Sequence, residues 1–460
     1  LQPESVMILA YGVKGVWHQM ANKDAYEEQM DRREFRRKRR IRNQIISYIV
    51  TVIVLGGLVA GGIIGAGQVM KTVRDKKQAD ELQKQLDELA QQEEETPVVE
   101  APVESPEPAT EQDYLDEIVN ACIAEMPLED KVAGLFIITP EALTGTDVVV
   151  KAGDTTKAKL GEKPIGGLVY FEQNMKSADQ LTEMLQNTIG WSKYPIFLCV
   201  DEEGGSVSRV SGAGLADDVG PMAEIGASGD AALAQEAGAN LGAYLAGFGF
   251  NVDFAPVADV ISEGNTVIGD RSFGSDVNMV APMVAAEVAG LQGNGVSACL
   301  KHFPGMGDAS EDTHNGMASS EKTLDDLNAT DFPVYQAGIE AGAEFVMVGH
   351  ISMPNVVGDN TPASLSSKVI SELLRGQLGY NGIVVTDAMD MTAITDYYTA
   401  DQAAVAAINA GADMILMPED FETAYTGVLD AVNNGTISQD RIDESLRRIY
   451  RVKYKNKVEQ

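Results

Sequence analysis

Residues 301–308 read Lys-His-Phe-Pro-Gly-Met-Gly-Asp, and the segment runs on to Asp312-Thr313-His314-Asn315-Gly316. Gly305, Gly307 and Gly316 let such a loop turn sharply or move. Asp312 and His314 flank one residue, so a bent loop can bring them together. A carboxylate beside an imidazole raises its proton affinity and favours a protonated acid near neutral pH. The ligand types also permit a metal site built from His302, Asp308, Asp312 and His314, and a solvated polar loop is the plainest alternative. A second centre is Asp387, which ends the apolar run of Val384-Val385-Thr386. A carboxylate there is either a nucleophile or a salt-bridge partner, with Asp390 as its competitor; Asp390 lies past the run and is expected to begin the next helix. Further polar residues sit at or beyond the ends of other apolar runs: Asp201-Glu202-Glu203, Asp253, Asp259, Arg271, Lys301-His302 and His350. Three of the four histidines fall at or just after such ends, which points to one polar pocket.

The elements that must position these residues are short runs rich in Val, Ile, Leu and Phe. They cover 134–139, 166–171, 195–201, 251–260, 296–303, 344–350, 382–387 and 413–417. Longer Ala-rich segments separate them, such as 231–248 and 277–294, with the length and apolar spacing of crossover helices. Helices are also expected over 401–410, 420–433 and 438–453. Strands alternating with helices imply a parallel sheet, and eight repeats imply a (β/α)8 TIM-type barrel. The alternative is an open doubly wound sheet, but no GxGxxG turn follows the first run, which weakens its dinucleotide-binding form. In a barrel the chemistry lies at the C-terminal ends of the strands, where these polar residues collect.

The motifs KHFPGMGD…DTH, DEEGGSVSRV, NVDFAPVADV, GDRSFGSD and VVTDAMDM stand in the order seen in glycoside hydrolase family 3. The chain resembles the β-N-acetylhexosaminidase branch of that family over roughly residues 114–455. The resemblance implies that Asp387 is the catalytic nucleophile and His314 the general acid/base, with Asp312 as its dyad partner. It also implies that Asp201, Arg209, Arg271, Lys301 and His302 hold hydroxyls of the non-reducing sugar. Met306 departs from the pattern, which usually has histidine there (HFPGHG). The implied activity is retaining hydrolysis of terminal β-linked N-acetylglucosamine, with cell-wall glycans as substrates and no metal or organic cofactor. The β-glucosidases of the family draw their acid/base from an additional C-terminal domain. The residues after Asp387 are expected to be consumed by the eighth strand and the terminal helices, which favours an acid from within the barrel. The other readings are a β-glucosidase or xylosidase of the same family, and a non-catalytic glycan-binding barrel.

The N-terminal 110 residues lie outside the resemblance. Residues 1–44 carry ten Lys/Arg against six Asp/Glu, concentrated in 32–42, and residues 45–69 carry no charge. About 20 helical residues cross a bilayer, so 45–69 is expected to be a transmembrane anchor. The basic flank should stay cytoplasmic and everything after residue 70 should lie outside the cytoplasmic membrane. Residues 70–112 are expected to form a helical stem and a Pro/Glu-rich linker, leaving 113–460 as the catalytic barrel. The whole chain has a net charge of −34, which argues against a nucleic-acid partner. Its three cysteines are too few and too odd in number for a disulfide framework, and they lack metal-ligand spacing.

Overall fold

The structure is a computed structural model that describes residues 111–262, 265–309 and 316–458. The expected cytoplasmic segment, anchor, stem and linker fall outside the described residues, and so do Asp312 and His314. Among the described residues no helix is long and apolar enough to cross a membrane.

Each of the eight apolar runs contains a strand. They are β1 (Phe136–Ile138), β2 (Gly167–Val169), β3 (Phe197–Val200), β6 (Val252–Asp253), β7 (Ser297–Phe303), β8 (Phe345–Val348), β9 (Ile383–Thr386) and β10 (Ile415–Leu416). The strands are buried along their whole length, as expected of a parallel sheet covered by helices. All pair in parallel, in the order β10-β1-β2-β3-β6-β7-β8-β9. A parallel bridge between Val385 and Met414 joins β9 to β10 and closes the ring. A short antiparallel hairpin, β4 (Glu202–Gly204) and β5 (Val207–Ser208), rises from the end of β3.

The fourth run yields only two strand residues from a stretch of ten, because Pro256 has no N–H to offer the ladder. It still follows β7 irregularly: Cys299 N–H donates to the Ala255 carbonyl at 2.7 Å, and Ala258 N–H to the Lys301 carbonyl at 2.7 Å. The run is thereby carried up to Asp259.

The crossover helices include Ala231–Phe248 and Val277–Gln292, whose N-termini are capped by Asp230 and Asp276. Ala400–Ala410, Phe421–Asn433 and Gln439–Val458 follow in the last third of the chain. Phe421–Asn433 starts one residue later than expected because Asp420 serves as its cap, accepting from Thr423 N–H at 2.7 Å. Phe197 and Phe345 begin β3 and β8, which are not neighbours in the sheet. Their rings meet edge to face at 5.1 Å, so the barrel interior is filled rather than hollow. Lys453 of the terminal helix lies 4.6 Å from the Phe197 ring centroid and donates to the Gly166 carbonyl, which places that helix across the N-terminal end of the barrel. The opposite end is left for the site.

Candidate active site

At the C-terminal ends of the strands a cleft of about 360 Å³ is lined by Asp201, Glu203, Arg209, Arg271, Lys301, His302 and Asp387. Phe171, Met306, Met347, Met391 and Met417 supply apolar parts of the same wall. Six of the eight residues named from the sequence therefore meet in one place. The other two, Asp312 and His314, belong to the undescribed segment, which Ala309 and Gly316 flank.

Lys301 comes from β7 and is buried. Its Nζ donates to Asp201 Oδ1 at 2.7 Å and to Glu203 Oε1 at 2.5 Å. Arg271 grips the same Glu203 carboxylate with two parallel bonds, Nε to Oε2 at 2.7 Å and Nη2 to Oε1 at 2.8 Å. Glu203 is 1% exposed. Burial alone would raise its pKa, but Lys301 and Arg271 outweigh that and lower it from 4.5 to about 2. Burial likewise disfavours the Lys301 charge, yet Asp201 and Glu203 hold its pKa above the ordinary lysine value. The result is a chain of alternating charges fixed along the wall of the cleft.

Glu203 was not among the residues expected to act. The signal for it was a charge count: within the set expected to hold the sugar, Arg209, Arg271 and Lys301 are three cations against one carboxylate, Asp201, and a buried set needs more counter-charge. Its neighbour Glu202 does a different job. It is fully buried, accepts from the backbone N–H groups of Val210 at 2.6 Å and Ser211 at 2.9 Å, and takes the Tyr244 hydroxyl at 2.8 Å. Those bonds anchor the chain immediately after Arg209, whose guanidinium lies 5.6 Å from the Phe171 ring centroid.

His302 is aimed by Asp259, the residue to which the fourth run leads. Asp259 Oδ2 accepts from His302 Nδ1 at 2.7 Å, and its Oδ1 accepts from Met306 N–H at 2.7 Å. One buried carboxylate thus sets both the imidazole and the start of the following loop. That loop presses on the barrel so closely that only glycine fits. A Cβ on Gly305 (φ +134°) would lie 2.2 Å from Asp331 Oδ1, and one on Gly307 would lie 1.9 Å from the Val260 carbonyl oxygen. Asp308 is held by the Ser320 hydroxyl at 2.5 Å. Among the described residues no group of three or more His, Cys, Asp or Glu gathers as metal ligands.

Asp387 follows β9 directly. Its N–H continues the ladder to the Val348 carbonyl at 2.9 Å, and its Oδ1 accepts from Ala388 N–H at 2.8 Å. Burial opposes its charge, but the nearby imidazoles of His302 and His350 and the Ala388 N–H hold its carboxyl below the usual aspartate range. It is therefore ionised at neutral pH and suited to attack or to charge stabilisation, not to proton donation. Asp390 does not begin the next helix as expected. That helix is Thr392–Thr395, flanked by Met391, and Asp390 stands exposed in the turn before it while still lining the cleft. The pre-helix turn is set by Met389, whose N–H bonds to the Leu416 carbonyl at 2.9 Å.

Residues 127–452 match the family described as "Glycosyl hydrolase family 3 N terminal domain". "Beta-hexosaminidase A" of Pseudoalteromonas piscicida is 34% identical over 321 residues, covering 63% of this chain and 53% of that protein. "Beta-hexosaminidase" of Stenotrophomonas maltophilia (strain K279a) is 34% identical over 294 residues, covering 62% of this chain and 85% of its own length. A solved glycoside hydrolase family 3 β-N-acetylglucosaminidase from Paenibacillus sp. str. FPU-7 superimposes with a TM-score of 0.66 at 35% identity, over 73% of this chain and 64% of the other. The chain thus spans about half the length of the Pseudoalteromonas protein and most of the Stenotrophomonas one. With a parallel eight-stranded barrel, a charged cleft at its C-terminal end and a family match over most of its length, the chain belongs to glycosyl hydrolase family 3.

Proposed function

We propose that the protein hydrolyses terminal non-reducing β-linked N-acetylglucosamine with retention of configuration. The observation that carries the proposal is the position of an ionised Asp387 in the same cleft as the Asp201–Lys301–Glu203–Arg271 chain and the Asp259-oriented His302. Such a cleft offers one carboxylate for an anomeric carbon and several fixed donors and acceptors for ring hydroxyls. The names of the relatives, two β-hexosaminidases and one β-N-acetylglucosaminidase, favour the 2-acetamido sugar.

In this reading a protonated His314 gives its proton to the leaving oxygen as the glycosidic bond breaks. Asp387 forms an ester bond to the anomeric carbon. The now neutral imidazole then takes a proton from water, whose oxygen displaces Asp387, and two inversions give net retention. Asp312 supports the imidazolium in the first step. Asp201, Arg209, Arg271, Lys301 and His302 hold the sugar.

The uncharged stretch 45–69 behind a basic flank supports a single-pass anchor with the barrel outside the cytoplasmic membrane. That placement makes cell-wall fragments bearing terminal β-N-acetylglucosamine the natural substrates. The test is a comparison of the purified protein on aryl β-N-acetylglucosaminide and aryl β-glucoside. Preference for the former supports the proposal, and preference for the latter overturns the assigned sugar.

A further inference from the structure

His350 stands out in the sequence, and the steps above give it no part beyond its electrostatic support of the Asp387 charge. It lies two residues past the end of β8 and is fully buried. Its Nε2 lies 2.9 Å from the carbonyl oxygen of Ala388, and its Nδ1 lies 2.8 Å from the Ser364 hydroxyl. A carbonyl only accepts, so Nε2 carries the proton and donates. The same Ala388 donates its N–H to Asp387 Oδ1 at 2.8 Å. Ala388 is thus held at both of its backbone groups: its N–H, in the peptide that joins it to Asp387, meets the carboxylate, and its carbonyl, in the following peptide, meets His350. Ser364 is itself fixed, being fully buried, with its N–H on the Gly349 carbonyl at 3.1 Å. The ring plane of His350 is consequently set by a segment that follows β8, and it bears on a turn that follows β9.

We propose that His350 is a positioning residue for the nucleophile: with Ser364 it clamps the Ala388 carbonyl and so sets the direction in which the Asp387 carboxylate faces the anomeric carbon. The proposal rests on the reading of Asp387 as the nucleophile. If Ala388 is free to turn about its own backbone dihedrals, the Asp387 carboxylate still meets the surrounding charges, but it faces the anomeric carbon out of line. A misplacement of about 1 Å can cost about 100-fold in rate. Lys301 and His302 on β7, Asp201 and Arg209 on either side of the β4–β5 hairpin, and Arg271 take no part in these bonds, so ground-state binding should stay intact.

The experiment uses the full chain with aryl β-N-acetylglucosaminide. His350→Leu should lower kcat by about 100-fold while KM stays within about 3-fold. His350→Gln should recover most of the loss, to within about 10-fold of the wild type, because its amide nitrogen can reach the place of Nε2 and donate to the same carbonyl. Ser364→Ala keeps the donor but frees the ring, and should cost kcat several-fold with KM unchanged, giving a reading if His350→Leu fails to fold. The dissociation constant for free N-acetylglucosamine should be unchanged in all three. Equal loss in kcat and binding, or a Gln variant no better than Leu, would overturn the clamp.

A parallel labelling of the wild type separates the two claims. A 5-fluoro analogue of N-acetylglucosaminyl fluoride is suitable because the 2-position already bears the acetamide. A label on a residue other than Asp387 removes the nucleophile reading itself. A label on Asp387 together with normal kcat in the His350 and Ser364 variants removes only the clamp.

Discussion

Glu203→Gln keeps the shape of the side chain that joins Lys301 to Arg271 but deletes its charge, leaving Asp201 as the remaining acidic partner of Lys301 in the cleft. The fall of the Glu203 pKa from 4.5 to about 2 corresponds to about 3 kcal/mol of native-state stabilisation at neutral pH. Glu203 is 1% exposed, so solvent screening does not reduce the figure much. Breaking a buried pair by removing one partner costs about 3–5 kcal/mol in general, in line with this value. The sign of the pH dependence follows from the depressed pKa. The ionised carboxylate stabilises the fold fully above its unfolded value of 4.5, and that contribution is lost as the pH falls through about 2. Urea unfolding of the whole chain, wild type and Glu203→Gln, should show a gap of about 3 kcal/mol at pH 7 that shrinks to less than half near pH 3. A gap below about 1 kcal/mol at pH 7, or one that widens on acidification, would refute the claim that Glu203 is the ionised centre of the network.

Removing His314 should harm substrates according to their need for protonation. His314→Gly should therefore lose far more activity on a bond from N-acetylglucosamine to another sugar than on an activated aryl glycoside, and azide should partly restore the latter; equal losses without azide rescue would make His314 a binding residue. Asp259→Asn removes the charge that aims His302 and the Met306 N–H, and should raise KM on the aryl substrate by about 10-fold or more with the barrel still folded, as read by circular dichroism. Unchanged KM would mean that His302 needs no such support. Protease added to intact cells or protoplasts should digest the barrel and spare the N-terminal basic segment; protection of the barrel would reverse the expected topology.

The barrel was legible in the sequence because a parallel sheet buries both faces of its strands, leaving unbroken apolar runs that need no register to be seen. All eight runs hold a strand, and polar residues just past their ends mark the functional rim. The β4–β5 hairpin was not legible, since Glu-Glu-Gly has neither the alternation nor the apolar content of a strand. The supporting contacts were hidden for another reason. Glu203 meets Arg271 across 68 positions and Asp259 meets His302 across 43, and only the closed barrel makes those residues neighbours. His350 was visible as a histidine at a strand end, but its partners Ser364 and Ala388 are residue types that announce nothing. Ala388 contributes only its backbone, which sequence patterns do not report.

The central claim is that Asp387 attacks the anomeric carbon. Treating the whole chain with 5-fluoro N-acetylglucosaminyl fluoride, digesting it and sequencing the labelled peptide by mass spectrometry tests that claim directly, because the ester bond marks the attacking oxygen. A single label on Asp387 is expected, and none in Asp387→Ala. A label on Asp390 or Glu202, or undiminished turnover by Asp387→Ala, would contradict it.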